Sequence, residues 1–120
     1  MNYEKKILII GKNKRNNELL CDFFKKNSIL SNGLTDLQQA NEKIKNDKEI
    51  HLVLVDVSGY DRSIWNFLSI LFENRVPFLV IYPPQHTQRT SPPPGSHGVL
   101  TKPLNPKVLL SLVKNLLEGE

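Results

Sequence analysis

The chain has a single cysteine among its 120 residues, Cys21, so it contains no internal disulfide. It also lacks any run of roughly 18 apolar residues, the length needed to span a bilayer. The apolar stretch near the N-terminus, residues 7–10, is too short for a signal peptide and is typical of a buried strand. We therefore expect a cytoplasmic protein with no membrane partner.

Residue sets that carry catalysis or bind metal are scarce. His51, His86 and His97 have no cysteine or carboxylate at ligand spacing, which favours surface histidines over a metal site. No Ser-His-Asp or Cys-His arrangement is evident. The loop after the first apolar run, GKNKRNN, has one glycine and neither the P-loop nor the dinucleotide-binding spacing. We predict that the chain is not an enzyme and binds no metal, and a flavodoxin-like domain for a small ligand is a weaker alternative.

Charge is mildly biased toward the basic side, with a formal net charge of +4. Several lysines gather near the N-terminus, but no aromatic residues are interleaved with them and no DNA-reading pattern is present. A solvated basic face is the simpler interpretation, and nucleic acid is an unlikely partner.

Apolar strand-like segments alternate with amphipathic helical segments. The strand-like segments cover residues 6–10, 28–31, 50–57, 77–82 and 99–101. This alternation predicts one α/β domain over residues 1–120, with a parallel sheet and helices on both faces. Between Tyr82 and Val99, five prolines interrupt the pattern, so a regular helix is not expected there.

Local signals place the helix ends and one turn. Asn16 or Asn17 is predicted to cap the first helix, and Thr35 with Gln38 has the spacing of a capping box. Asn32-Gly33 predicts a turn after the weak second strand. Asn105-Pro106 predicts the start of the last helix.

The carboxyl ends of the strands are where sites form in such sheets. Asp56 is the leading candidate, because it ends an almost wholly apolar strand, HLVLVDV, where a carboxylate is costly unless solvated or paired. The other residues at these ends are Gly11, Lys12, Ser58, Tyr82, Thr101, Lys102 and Pro103.

Three segments in order give the chain a recognisable pattern: KKILII, HLVLVD and GVLTKPLNPKVLL. Over nearly its whole length the chain resembles the CheY-like receiver domain of bacterial response regulators. The resemblance implies a flavodoxin-like (βα)5 doubly wound sheet with strand order 2-1-3-4-5. It also implies that Asp56 is the phospho-acceptor candidate, that Lys102 contacts the phosphoryl group, and that the Lys102-Pro103 bond is cis.

The departures from the family pattern fall on its phosphorylation chemistry, on the loop after the aspartate, DVSGYDRS, and on the fourth helix. Gly11 and Lys12 replace the two acidic residues that bind Mg²⁺ together with the aspartate, leaving Asp56 and the Ser58 carbonyl. Tyr82 stands where the family has Ser or Thr, and Val99 where it has an aromatic residue. The fourth helix is expected to be short or missing.

These departures predict a pseudo-receiver domain. Since Mg²⁺ needs about six oxygen ligands, we expect neither that metal nor another cofactor. Lys12 and Lys102 are expected to pair with Asp56 instead. An alternative is a receiver that is still phosphorylated on Asp56. Expected partners are signalling proteins (a histidine kinase, a phosphotransfer protein or an effector domain), with a homodimer possible, and the predicted contact surface is the last helix with the proline-rich segment.

Overall fold

The computed structural model describes residues 6–84 and 92–118, which form five strands and four helices. The strands are β1 (Lys6–Ile10), β2 (Leu30–Leu34), β3 (Ile50–Asp56), β4 (Phe78–Tyr82) and β5 (Ser96–Thr101). The helices are α1 (Lys14–Lys26), α2 (Leu37–Asn46), α3 (Ser63–Glu73) and α4 (Pro106–Glu118). Within these residues, no helix is long and apolar enough to cross a membrane.

The strands form one parallel sheet in the order β2-β1-β3-β4-β5. The predicted flavodoxin-like strand order is therefore confirmed. β1, β3 and β4 lie inside the sheet and are almost fully buried, as expected for strands covered on both faces. The edge strand β2 is largely exposed, and in the edge strand β5 half-buried and exposed residues alternate. These patterns explain why both strands have a weak apolar signal in the sequence.

Two separate cores lie on the two faces of the sheet. One packs α2 and α3 against the inward residues of β1, β3 and β4, including Val53, Val80 and Tyr82. The other packs α1 and α4 against the alternate residues of the same strands, including Leu54 and Ile81. Side chains that alternate along each strand therefore serve opposite faces.

The sequence misplaced β2 and the turn after it. The strand runs from Leu30 to Leu34 and not over residues 28–31, so Asn32 and Gly33 lie within the strand. The chain reverses earlier, at Ser28, which has a positive φ of 66°. An edge strand with a polar middle carries too little apolar alternation to be located from pattern alone.

Two of the three predicted caps were also shifted. α1 is capped by the Asn13 side chain, which accepts from the N–H of Asn16. α2 is capped by Asp36, which accepts from Gln38 and Gln39, and not by Thr35. The prediction for α4 is confirmed, since the Asn105 side chain accepts from the first-turn N–H groups of Lys107 and Val108.

Asn17 has a structural role that its sequence context did not suggest. Its side chain is buried, and its amide donates to the carbonyls of Gly11 and Leu34 at 3.0 and 3.4 Å. A Cβ on Gly11 would lie 2.6 Å from Asn17 Oδ1, and one on Gly33 would lie 2.9 Å from Asn17 Cβ. Asn17 thus joins the carboxyl ends of β1 and β2, and it leaves no room for a larger residue at Gly11.

No helix is present between β4 and β5 in the residues described there, which are 83–84 and 92–95. This agrees with the prediction that the helix at this position is short or missing, although most of the proline-rich segment, residues 85–91, lies outside the described residues. Pro92, Pro93 and Pro94 lie beside α3, where they line a groove with Trp65 and Phe72. Phe72 is 54% exposed, although it is a large apolar side chain.

A charged cluster closes the amino-terminal end of the sheet. Lys6 Nζ on β1 lies 2.8 Å from Asp47 Oδ2, which also pairs with Lys43 at 3.4 Å. The Lys6 ammonium, followed by the N–H of Glu49, lowers the pKa of Asp47 to about 2. The cluster connects β1 to the segment that leads into β3, far from the end that carries Asp56.

The depressed pKa of Asp47 makes stability depend on acid pH. The unfolded carboxyl has a pKa of about 3.9, so the Asp47 contribution is fully present above that pH and is lost as pH falls toward about 2. Asp47→Asn should therefore lower stability at neutral pH and flatten the acid limb of a plot of unfolding free energy against pH. Urea unfolding at a series of pH values measures this.

The control is Asp22→Asn, which changes an exposed aspartate on α1 that makes no ion pair with the residues described. Its acid limb should match that of the unmodified chain. If Asp47→Asn and Asp22→Asn gave the same acid limb, the assignment of this pH dependence to Asp47 would be wrong.

Candidate functional site

Asp56 ends β3 at the carboxyl edge of the sheet, between β1 and β4. Both of its carboxylate oxygens are engaged: Oδ2 lies 2.7 Å from the Lys102 ammonium, and Oδ1 accepts from the N–H of Ser58 at 3.0 Å. The side chain is only 15% exposed. A buried strand has therefore placed one carboxylate at its end, and two donors compensate for its desolvation.

Lys102 reaches Asp56 because β4 aligns the two flanking strands. Asp56 is in register with Ile81, and the N–H of Lys102 donates to the Tyr82 carbonyl at 3.0 Å. The peptide bond between Lys102 and Pro103 is cis, as the resemblance implied. The backbone just beyond β5 is thus positioned so that the lysine side chain extends over the end of β4 toward the carboxylate.

Ser58 completes a small polar cluster with these two residues. Its hydroxyl lies 3.4 Å from Lys102 Nζ, in addition to the bond from its backbone to Asp56. Asp56, Ser58 and Lys102 were all predicted as site residues, and the structure brings them together. Pro103 lies beside them, and with Asp56 and Lys102 it lines a pocket of about 430 Å³ walled by Leu19, Leu20, Ile81, Pro84 and Leu104.

Lys12 does not make the ion pair with Asp56 that the sequence suggested. Its ammonium lies 5.4 Å from the centroid of the Tyr60 ring, a cation–π arrangement. Among the residues the structure describes, Asp56 forms an ion pair with Lys102 alone. Lys12 lies against the β3–α3 loop, since a Cβ added at Gly59, which has a φ of +83°, would lie 3.4 Å from Lys12 Cβ.

Gly11 lies next to Asp56 but adds no functional group to the site. An added Cβ at Gly11 would lie 3.6 Å from Asp56 Cβ and would collide with the Asn17 side chain behind it. The position at which the receiver family carries an acidic residue is therefore closed by Asn17.

Tyr82 is adjacent to the site along the chain but faces away from it. It is 4% exposed and packs in the core formed with α2 and α3, whereas its neighbour Ile81 lines the Asp56 pocket. Burial raises the pKa of the Tyr82 phenol above its usual value. Tyr82 and Ile81 point to opposite faces of the sheet because the side chains of consecutive residues in a strand alternate between its two faces.

Tyr60 is a site residue that the sequence analysis missed. Its hydroxyl donates to the Thr35 carbonyl at 2.7 Å, which joins the β3–α3 loop to the β2–α2 loop, and its ring lies under Lys12. Burial raises its pKa to about 12, and the negative charges of Asp56 and Asp36 add to the shift. The available signal was its position four residues after Asp56, in a loop that departs from the family pattern.

Acidic residues do not converge around Asp56 as a divalent metal requires. Nowhere in the described part of the chain do three or more His, Cys, Asp or Glu side chains lie together as a metal-binding group. His51 is on β3 and His97 on β5, while His86 lies outside the described residues. Mg²⁺ takes about six oxygen ligands in a tight octahedron, and the ends of β1 and β3 offer one carboxylate already paired with a lysine.

Comparison with solved structures identifies the fold. A two-component response regulator from Clostridium difficile is 25% identical with a TM-score of 0.81, over 94% of this chain and 95% of that one. A CheY-like receiver domain protein from Methanospirillum hungatei JF-1 has a TM-score of 0.83 at 18% identity, over 96% and 94% of the two chains. The beryllofluoride-activated NtrC4 receiver domain dimer has a TM-score of 0.84 at 21% identity, over 96% and 98%.

The sequence itself matches no protein-family model, and no curated protein is detectably similar to it. The chain nevertheless has the receiver fold, with Asp56 at the end of the third strand and Lys102 after the fifth.

The raised pKa of Tyr60 can be measured directly. We expect one phenol to ionise near pH 12, because its anion would be partly buried and close to two carboxylates. An ultraviolet difference titration of the unmodified chain against Tyr60→Phe isolates this phenol, since the variant keeps the ring and removes only the hydroxyl. A difference spectrum that titrates near pH 10 would show that Tyr60 is solvated and does not join the two loops.

Proposed function

We propose that this chain is a pseudo-receiver, a receiver-fold module of two-component signalling that acts through protein–protein contacts and not through Mg²⁺-dependent phosphorylation of Asp56. The observation that carries the proposal is the end of β1, where Gly11 and Lys12 supply no carboxylate beside Asp56 and the described residues form no acidic cluster that would hold Mg²⁺. The protein is then a signalling domain without catalytic turnover, acting in the cytoplasm.

Phosphorylation of an aspartate requires a carboxylate oxygen that can attack a phosphorus atom and a cation that neutralises the moving charge. At Asp56 the Lys102 ammonium supplies one positive charge 2.7 Å from Oδ2, and the described residues offer no acidic cluster that would hold a divalent cation beside it. The partial burial of both side chains, 15% and 25% exposed, reduces the screening of that pair by water.

The residues on the β1 side of Asp56 do not suit a divalent cation. Gly11 has no side chain that could supply a ligand atom, and Asn17 occupies the space that one would need. Lys12 brings a positive charge to the same loop and lies over Tyr60. A metal approaching Asp56 from this side would meet Gly11 and the positively charged Lys12 where the family supplies two carboxylates.

Loss of the switch residues supports a module held in one state. Tyr82 and Val99 stand at the positions that carry the mobile hydroxyl and aromatic residue of the family. Tyr82 is packed in the core on the opposite face from Asp56. A phosphoryl group on Asp56 would therefore lack the contacts that distinguish two conformations, and a modification that favours neither state shifts no equilibrium.

Partner contact is expected at the carboxyl-terminal part of the domain. The predicted surface combines α4 with the proline-rich segment, and α4 exposes Val108 there at 52%. Candidate partners are a histidine kinase, a phosphotransfer protein, an effector domain or a second copy of the chain.

The test is incubation with acetyl phosphate and Mg²⁺, followed by intact-mass measurement over time. We expect no appreciable gain of a phosphoryl group, because the described residues around Asp56 offer no acidic cluster that would hold Mg²⁺. A phosphorylation-competent receiver domain in the same reaction shows that the donor is active, and Asp56→Asn gives the baseline. Rapid, Mg²⁺-dependent addition of one phosphoryl group that Asp56→Asn abolishes would instead establish a working phospho-acceptor.

A further inference from the structure

The two edges of the sheet differ in how they are protected against pairing with another chain. β5 is followed directly by Lys102 and Pro103, and its pairing with β4 contains a register shift between Phe78 and Val80. Irregular register, prolines and lysines discourage the addition of a further strand to an edge. β2 contains no charged residue and no proline, and it pairs with β1 in unbroken register over its whole length. β2 is therefore the less protected edge.

The backbone of β2 presents hydrogen-bonding groups to this edge. The Leu34 carbonyl accepts from the N–H of Gly11 at 3.2 Å, so Leu34 directs its backbone groups toward β1. Successive residues of a strand direct their backbone groups to opposite sides. Ser31 and Gly33 consequently direct theirs away from β1, and each offers one donor and one acceptor to a strand that would lie beside β2.

The outward residues are placed symmetrically about Asn32, which makes the edge complementary to itself. When a second β2 lies antiparallel beside the first with Asn32 opposite Asn32, Ser31 of each copy faces Gly33 of the other. Residues that face each other in this way exchange two hydrogen bonds in an antiparallel pair. Two copies related by a twofold axis through Asn32 therefore satisfy each other's outward groups.

The side chains match in the same register. Leu34 packs at the margin of the core formed with α2 and α3, and Leu30 and Asn32 share its face because they alternate with Ser31 and Gly33. Leu30 is 46% exposed. In the antiparallel register, Leu30 of one copy lies opposite the half-buried Leu34 of the other, so each exposed leucine gains an apolar cross-strand neighbour.

We propose that β2 pairs with β2 of a second copy of the chain, antiparallel and centred on Asn32, so that the two sheets become one continuous sheet. The inference goes beyond the proposed function and involves none of the Asp56 chemistry. It places self-association at the β2 edge, and not on α4 with the proline-rich segment. Because the contact is short, we expect a weak dimer with a Kd on the order of 10–100 µM.

Self-pairing uses more of this edge than an unrelated strand would. An extended segment of another protein can bond to the outward groups of Ser31 and Gly33, but nothing in β2 defines the side chains that it would place opposite Leu30 or Asn32. In the twofold arrangement, each outward group and each exposed leucine has a defined partner. The net charge of +4 does not oppose the contact locally, because β2 itself carries no charge.

Sedimentation equilibrium of the full chain over a series of concentrations tests for the dimer, and substitutions of Asn32 locate it. Asn32 is exposed, so Asn32→Lys and Asn32→Glu should leave the fold unchanged, which circular dichroism checks. In the dimer, each variant sets two like charges directly opposite each other, and we expect each to weaken self-association by about tenfold or more. A mixture of the two variants sets lysine opposite glutamate and should associate again.

The matched control is Asn66→Lys, which adds the same charge at an exposed position on α3 and should leave self-association unchanged. Amide hydrogen exchange identifies the backbone groups involved. The N–H groups of Ser31 and Gly33 should exchange more slowly as the concentration of the chain rises, and Asn32→Lys should remove that dependence.

A chain that stays monomeric at about 1 mM, well above the expected Kd, would overturn the proposal and leave the edge to an extended segment of another protein. So would a dimer that Asn32→Lys and Asn66→Lys affect equally, or a mixture of the two Asn32 variants that does not associate. None of these results depends on whether Asp56 accepts a phosphoryl group, which the mass measurement determines separately.

Discussion

The ion pair between Lys102 and Asp56 is the interaction on which the carboxyl edge of this sheet depends. A carboxylate at the end of a strand as apolar as β3 is unfavourable unless a partner compensates for its lost hydration. Lys102 supplies that partner at 2.7 Å, and the N–H of Ser58 satisfies the other oxygen. The same ion pair also balances the charge that a bound metal would otherwise balance, so the stability of the site and its proposed lack of a metal are linked.

A second constraint acts from the β1 side. Asn17 bonds the carbonyls at the ends of β1 and β2 and fills the space above Gly11, while Tyr60 joins two loops and holds Lys12 over its ring. These side-chain contacts hold the loops around Asp56 together. Restoring an acidic residue at position 11 would require Asn17 to move as well, so the change from the family pattern involves more than the substituted position.

Much of the fold was predictable because the buried strands carry a strong signal. β1, β3 and β4 are covered on both faces and read as apolar runs, and the Lys102-Pro103 pair located the end of β5. β2 was placed wrongly because its exposed, polar residues follow no alternation, and α1 was given the wrong cap because Asn13, Asn16 and Asn17 are chemically alike. The burial of Asn17 and the contact of Lys12 with Tyr60 depend on loop geometry, which no spacing in the sequence encodes.

Titration calorimetry with Mg²⁺ at neutral pH tests the central claim most directly, because it measures the metal site without requiring any phosphoryl transfer. The account predicts no saturable heat, since Asp56 is paired with Lys102 and the end of β1 supplies no carboxylate. Stoichiometric binding of one Mg²⁺ that disappears in Asp56→Asn would contradict it, and would show that the ion pair opens readily to admit a metal.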